Sequence, residues 1–535
     1  MIGMENIMDI AANLGIDREY IDNYGKYMAK ISLKALDKGN KNGKLILVTA
    51  MTPTKYGEGK TTNTIGLSQA FKKLGKNVSI SIREPSMGPC FGVKGGATGG
   101  GKSKVEPSDK INLLFTGDFP AITGAHNLLS SMIQNHIYHG NQLKIDPEKI
   151  TFPRTIDMND RSLRDMILNA GGKENGPLTR DSFVITPASE IMAIMGFSMD
   201  YDDLVRRLSK ILIGYDINGK PVYSGDLKAE GAMAAILSDA IKPNIVQTTE
   251  GVPAFIHTGP FGNIAHGTSS ILAAKMAMKY SDYVITEAGF GSDLGAEKFI
   301  NMVSRIGNLK ISAVVIVATI RAMKLLGGSE DKNGIASGFN NLKRHYDNLT
   351  RFGFHPVVAI NKFSNDTEEE IQFLDGMLKK NNMEYQLSEV FMKGGDGALS
   401  LAKTVLEKCE KTTDNIKYTY NFDDGIREKI ESIGLNIYGV NRVEFSKKAL
   451  SDIRRMEKNG YAGLPICMAK SQYSLSGNPL ENDDNILRVT SASVSSGAGF
   501  IVVYSGDIMT MPGLPKEPAA CNIHIDGEGT IYNLE

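Results

Sequence analysis

The feature that most constrains this chain is TPTKYGEGKTT, residues 52–62, set between the apolar run KLILVTAM (44–51) and the helical pattern TTNTIGLSQAFKKLG. A continuous apolar run of that length, bounded by Gly43 and Pro53, reads as a strand buried on both faces of a parallel sheet. A glycine turn that opens a helix exposes backbone N–H groups and the positive end of the helix dipole, and Lys60 adds a full positive charge. Together they suit a polyphosphate. Thr54, Gly57, Glu58, Gly59, Lys60, Thr61 and Thr62 are the expected phosphate-binding residues, with the Thr61 hydroxyl placed for Mg²⁺. The match is incomplete, because the pattern GxxxxGK[ST] calls for glycine where Thr54 stands. A tight turn carrying a surface lysine is the competing interpretation, and the strand–loop–helix order weakens it.

Further strand-length apolar runs are NVSISI (77–82), YVITEA (283–288), ISAVVIVAT (311–319) and HPVVAIN (355–361), with helical patterns between several of them. Such alternation predicts the α/β class: a P-loop-type, mostly parallel sheet flanked by helices. At 535 residues the chain exceeds what one core sustains, so one or two smaller lobes are expected as well. Residues 5–38 read as helical and amphipathic. Residues 140–245 read as a helix-rich insertion holding a hairpin at 214–226. A charged stretch after residue 410 divides a nucleotide-binding α/β domain (1–410) from the smaller C-terminal part (411–535), which carries an apolar strand in 499–513.

Lys+Arg and Asp+Glu are balanced at 60 each, which argues against coating nucleic acid or an anionic membrane. No apolar run approaches the roughly 20 residues that span a bilayer, and MIGMENIMDIAANLGI is unlike a signal peptide. Cys90, Cys409, Cys467 and Cys521 form no CxxC pair and fit a reducing compartment. A soluble, cytoplasmic protein is expected.

The glycine-rich basic segment REPSMGPCFGVKGGATGGGKSKV (83–105) is the next candidate. Arg83, at a strand end, can reach a phosphate or carboxylate with its planar fork, and Lys94 sits in flexible backbone. Glu287 and Asp293, in YVITEAGFGSDLG, lie where a carboxylate can hold magnesium or order water, or else act as a strand-end residue and a helix cap. Asp118, in a Gly-Asp turn, could be a general base or magnesium partner, although the local pattern favours an Asx turn. His136 and His139 lack a third ligand at metal-binding spacing. His257 and His266 are more often structural than catalytic, though a polar pocket wall is compatible with them. The Met-rich run 191–199 reads as core. Phe290, Phe363 and Phe391 occupy presumed strand-end loops, where an aromatic can stack on a flat ligand or simply pack.

These motifs, with FTGDFPAITGAHNLLSSMIQNHIYHGN, DMNDRSLR, ASEIMAIMGF, PAFIHTGPFGNIAHG, TEAGFGSDLGAEKF, LPICMAKSQYSLS and GFIVVYSGDIMTMPGLPK, resemble the formate–tetrahydrofolate ligases over essentially the whole chain. The resemblance implies joining of formate to N10 of tetrahydrofolate, with ATP converted to ADP and phosphate through formyl phosphate. It implies that Lys60 holds transferring phosphate and that Thr61 meets magnesium. It implies that Arg83 binds formyl phosphate, that Asp118 organises the folate amine and takes its proton, and that Phe290, Phe363 and Phe391 hold the folate ring. It further implies MgATP, tetrahydrofolate with or without a polyglutamate tail, a monovalent cation (K⁺ or NH₄⁺) and a homotetramer. Phe391 stands where the family often has tryptophan, Pro120 where histidine is common, and Thr258 and Thr268 where glycine and cysteine are common. Two rivals share the phosphate loop: a different ATP-dependent ligase or kinase, and a non-catalytic ATPase switch of the partitioning type.

Overall fold

The computed structural model describes residues 3–92, 98–411, 416–477, 484–506 and 508–534. Lys94 therefore lies outside the described residues. A 12-stranded sheet forms the centre. Its strands are β1 (Ile21–Asn23), β2 (Ala29–Ile31), β3 (Lys44–Ala50), β4 (Val78–Ile82), β5 (Gly99–Gly100), β6 (Ser103–Glu106), β7 (Asn244–Thr248), β8 (Pro253–Ile256), β9 (Tyr283–Glu287), β10 (Ile311–Ala318), β11 (Val357–Asn361) and β12 (Tyr385–Ser388). Their main spatial order is β1-β2-β7-β8-β4-β9-β3-β10-β11-β12. The run from β8 to β12 is parallel throughout. β7, β2 and β1 extend it antiparallel, and the β5–β6 hairpin pairs with the same edge of β7 as β2 does.

The five strands expected from apolar runs are all present, and they form the middle of this sheet. On β3 the side-chain period of two splits the burial between two cores. Leu45 and Leu47 join one cluster, while Ile46 and Val48 join the other. After β3 the chain crosses to β4, with β9 filling the place between them, whereas β10 lies on the opposite side of β3. The C-terminal end of β3 is thus a point where strand order reverses, the position at which open α/β sheets leave a crevice.

Helix α1 (Ile7–Leu14) ends at Gly15, whose φ of 85° gives the left-handed cap. Residues 5–38 are therefore not one helix, which corrects the reading from periodicity. The remainder turns at Gly25 and supplies β1 and β2, whose backbone groups are satisfied by pairing with each other and with β7. The 140–245 stretch also departs from expectation. It holds helices Glu190–Phe197, Tyr201–Leu208 and Glu230–Ile236, but also several short strands, among them Arg154–Ile156, Met166–Leu168, Thr179–Asp181 and Phe183–Ile185. The hairpin is present, as Leu212–Asp216 against Pro221–Tyr223. Three-residue strands carry too little alternation to be read from sequence.

The C-terminal part adds small sheets. Ile466–Ala469 pairs with Phe500–Tyr504, which pairs with Ser491–Ser495. Arg442–Phe445 pairs with Ile486–Val489. Its buried residues Ile466, Met468, Ile501 and Val503 are continuous with the cluster containing Leu45 and Leu47. The Met-rich run is core, as expected, with Met192 and Met195 fully buried. No helix among the described residues is long and apolar enough to cross a membrane.

Helix α2 (Lys60–Lys73) follows the 52–62 loop and must lie close to the chain after β12. Gly66 permits this, because a β-carbon there would sit 2.3 Å from Val390 Cβ. Gly66→Ala is expected to cost about 1–3 kcal/mol through overpacking, read as a lower urea midpoint. An unchanged midpoint would show that the helix has room to shift.

Candidate active site

The 52–62 loop is braced from within. Glu58 is buried, and its carboxylate accepts from the Thr54 N–H at 2.7 Å and from the Thr319 hydroxyl at the end of β10. Its side chain therefore shapes the loop rather than facing a ligand. Asn361, ending β11, donates to the Glu58 carbonyl at 3.2 Å, and Arg321 donates to the Gly57 carbonyl at 2.9 Å. Gly57 and Gly59 both have φ of 74°, a conformation that glycine adopts without strain. Gly59 is the N-cap of α2 and no side chain caps that helix, so no capping side chain takes up its first N–H groups. Lys60 is the first helical residue. Its charge reaches His345, whose ring is also buried and whose pKa is lowered to about 4, chiefly by burial.

Thr61 and Glu287 come together. The Thr61 hydroxyl lies 3.0 and 2.9 Å from the two carboxylate oxygens of Glu287, at the end of β9. Both are hard oxygen donors, the chemistry that magnesium prefers. Asp293 does not join them. Its carboxylate makes a buried ion pair with Lys470 at 2.8 Å, so it is engaged by the C-terminal part of the chain.

Arg83 emerges from the end of β4 beside the same carboxylate. Burial lowers its proton affinity, and the Glu287 charge opposes that shift. One guanidinium nitrogen donates to the Pro260 carbonyl at 3.1 Å, while Nε is buried without a hydrogen-bond partner. Around it, Thr258 Oγ1 and both ring nitrogens of His266 are also buried and unpartnered. They share one corner. The Glu84 N–H donates to the Thr258 carbonyl at 2.8 Å, and the Arg83 charge helps depress the His266 pKa to about 3, with burial the larger cause. Burial, then the charge of Asp118, raises the Glu84 carboxyl well above the usual range. Thr258 has φ of 54° and Phe290 has φ of 61°, both costly for residues with a branched or bulky side chain. Such strain persists where the surroundings enforce it, commonly at functional sites. His257, by contrast, is structural: its ring nitrogens bond Ser270 Oγ and the Ala240 carbonyl, each at 2.7 Å.

Asp118 opens helix Asp118–Tyr138, after Gly117 at φ 95°. Its carboxylate is not an exposed turn aspartate. It pairs with Lys30 of β2 at 2.6 Å and accepts from Asn244 of β7 at 2.7 Å. Pro120 lies in the first turn of that helix, where a missing N–H costs nothing. The aromatics divide. Phe363 follows β11 and stacks on Arg321 at 4.5 Å, and Phe391 follows β12, half-exposed against the β5–β6 turn. The adjoining strand ends are joined by Lys362 N–H to the Ser388 carbonyl at 3.0 Å. Phe290 lies on the other side of β3, at the end of β9, beside Gly262.

A model of the formate–tetrahydrofolate ligase family matches residues 1–535. The chain belongs to the formate–tetrahydrofolate ligase family. It is 60% identical to formate–tetrahydrofolate ligases of Thermoplasma volcanium and Thermoplasma acidophilum, and 54% identical to that of Picrophilus torridus. Each comparison covers 99% of this chain and 100% of the relative. Like its relatives, this family member is an ATP-dependent ligase.

Sequence reasoning did not find Glu84, Lys30, Asn244, Arg321, His345 or Lys470, whose partners are remote in the chain. Glu84 carried one signal, its place next to Arg83 in the glycine-rich segment. In this ligase, Lys30→Met would leave the Asp118 charge buried and unpaired. A loss of about 3–5 kcal/mol in unfolding free energy is expected, largely restored in Lys30→Met/Asp118→Leu. Equal losses in the single and double variants would contradict the pairing.

Proposed function

We propose that this ligase joins formate to N10 of tetrahydrofolate, converting ATP to ADP and phosphate through formyl phosphate. The observation that carries this reading is the corner of unpartnered buried polar atoms around Arg83, joined to the 52–62 loop through Glu287. Buried polar groups are normally satisfied, so a cluster of orphans around a guanidinium fits a small oxyanion. The loop offers the complementary place for a polyphosphate.

Formate is a poor electrophile because its negative charge repels a nucleophile. In the first step a formate oxygen attacks the γ-phosphorus of ATP, the bond to the β-phosphate oxygen breaks, and ADP leaves. In the second, the folate N10 attacks the formyl carbon, the carbon–oxygen bond to phosphate breaks, and the amine loses its proton. Lys60 and the N–H groups of the helix start stabilise the transferring phosphoryl group. Arg83 orients formate and then formyl phosphate. Thr61 and Glu287 would hold Mg²⁺, which supplies charge neutralisation for the phosphate oxygens. Asp118 takes the amine proton, its carboxylate oriented by Lys30 and Asn244. Phe363 and Phe391 flank the folate ring from one side of the crevice, and Phe290 lines it near Arg83. Strain at Phe290 supports a site role, whereas the exposure of Phe391 leaves it a free stacking face.

A division at residue 410, a homotetramer and a cytoplasmic setting complete the proposal. Exposed apolar residues such as Ile167 and Leu178 are consistent with assembly.

Purified protein with MgATP, formate and tetrahydrofolate should form 10-formyltetrahydrofolate, with no product when any one is omitted. Arg83→Ala and Lys60→Ala are each expected to reduce turnover by about 10²-fold or more, the range for a lost charge-stabilising donor. Arg83→Ala should leave nucleotide binding nearly intact. Near-normal turnover in either variant would remove the role assigned to that residue.

A further inference from the structure

Two motifs without a role in the chemistry above, DMNDRSLR (157–164) and the C-terminal GFIVVYSGDIMTMPGLPK, meet in the structure beside the segment that begins with Arg83. Asp157 contacts that segment directly. One of its carboxylate oxygens accepts from the Ser86 hydroxyl at 2.5 Å, and the other accepts from the Met87 N–H at 2.9 Å. Ser86 is the N-cap of the short helix α3 (Met87–Phe91), and Asp157 acts there as its acceptor. Asn159 is packed so tightly against α3 that a β-carbon on Gly88 or Gly92 would lie 2.7 Å from its side-chain amide. The far end of the motif is fixed to the tail. Arg161 donates to the Leu514 carbonyl, and Arg164 donates to the Met511 carbonyl at 2.9 Å. The Ala519 N–H returns to the Gly92 carbonyl at 2.8 Å.

Arg83 thus stands between two anchors. On one side is the register of β4, and on the other is the pair of bonds from Asp157, three and four residues further on. Between them the Glu84 N–H is fixed to the Thr258 carbonyl at 2.8 Å, and the Arg83 guanidinium itself makes a single hydrogen bond, to the Pro260 carbonyl at 3.1 Å. We propose that Asp157 is a positioning residue for Arg83: by holding Ser86 and Met87 it sets where the guanidinium meets the small oxyanion. The inference rests on the proposed role of Arg83 in binding formate and formyl phosphate. Displacements of about 1 Å in such groups cost on the order of 10²-fold in rate. Burial opposes the Asp157 charge, and its carboxyl pKa is raised to about 6. A carboxylate retained against that opposition is poorly explained by stability alone.

The test compares steady-state kinetics and thermal stability of the full chain in Asp157→Ala, Asp157→Asn, Ser86→Ala and Arg83→Ala. Asp157→Ala should raise the formate KM by roughly 10- to 100-fold, with the ATP KM changed by less than about 2-fold. Asp157→Asn keeps an acceptor for Met87 and should recover most of the formate KM. At pH 8 its Tm should equal or exceed that of the unsubstituted chain, because it removes a buried charge. Ser86→Ala removes one bond without disturbing packing and should raise the formate KM several-fold, which keeps the test open should Asp157→Ala fail to fold. The proposal is overturned if Asp157→Ala and Ser86→Ala leave the formate KM unchanged while Arg83→Ala abolishes turnover. It is equally overturned if formate and ATP parameters decline together with Tm, the mark of a purely structural residue. Full activity in Arg83→Ala would instead defeat the underlying reading of Arg83.

Discussion

A guanidinium held in a corner where neighbouring polar atoms lack partners is the constraint on which the rest of this structure turns. Desolvating such groups is unfavourable unless something completes their hydrogen bonds. Arg83 Nε, Thr258 Oγ1 and the His266 ring are all in that condition. Under the proposed function a small oxyanion would accept from the donors of this corner, and the parallel sheet puts the corner next to the 52–62 loop through Glu287. Two negative species brought together would repel in water. Fixed donors and cations in a site of low dielectric make their approach favourable.

The fold treats its buried lysines differently. Lys30 has Asp118 and the Lys242 carbonyl. Lys298 donates to the carbonyls of Gly262 and Ala265, closing the turn that packs on Phe290. Lys429 donates to three carbonyls, and Lys470 pairs with Asp293 and the Ser474 carbonyl. All four are almost completely buried and all are satisfied. They fasten loops and the C-terminal part onto the sheet, so the corner near Arg83 is held by rigid surroundings. Rigidity is what lets strained backbone survive at Thr258 and Phe290.

Much of this was legible in the sequence, for reasons that can be named. Strands buried on both faces are mostly apolar, so β3, β10 and β11 stood out as nearly continuous runs, while β4 and β9 were short and β-branched enough to be read despite the buried Ser79, Ser81 and Thr286. The 52–62 loop was legible because its glycines and lysine lie between a strand and a helix. β2 was not, because three residues centred on Lys30 do not look like a buried strand. Its lysine makes sense only beside Asp118, 88 residues away. Still larger separations in sequence hid the pairing of Asp293 with Lys470 and the bracing of Glu58 by Thr319, 261 residues away, since a carboxylate near a phosphate loop reads equally well as a ligand.

The central claim is that formate and the γ-phosphate of ATP react with each other in this crevice. Its most direct measurement is the fate of ¹⁸O from labelled formate during turnover with MgATP and tetrahydrofolate. Transfer through formyl phosphate predicts one labelled oxygen in each inorganic phosphate released. Phosphate carrying no label while 10-formyltetrahydrofolate accumulates would contradict the account.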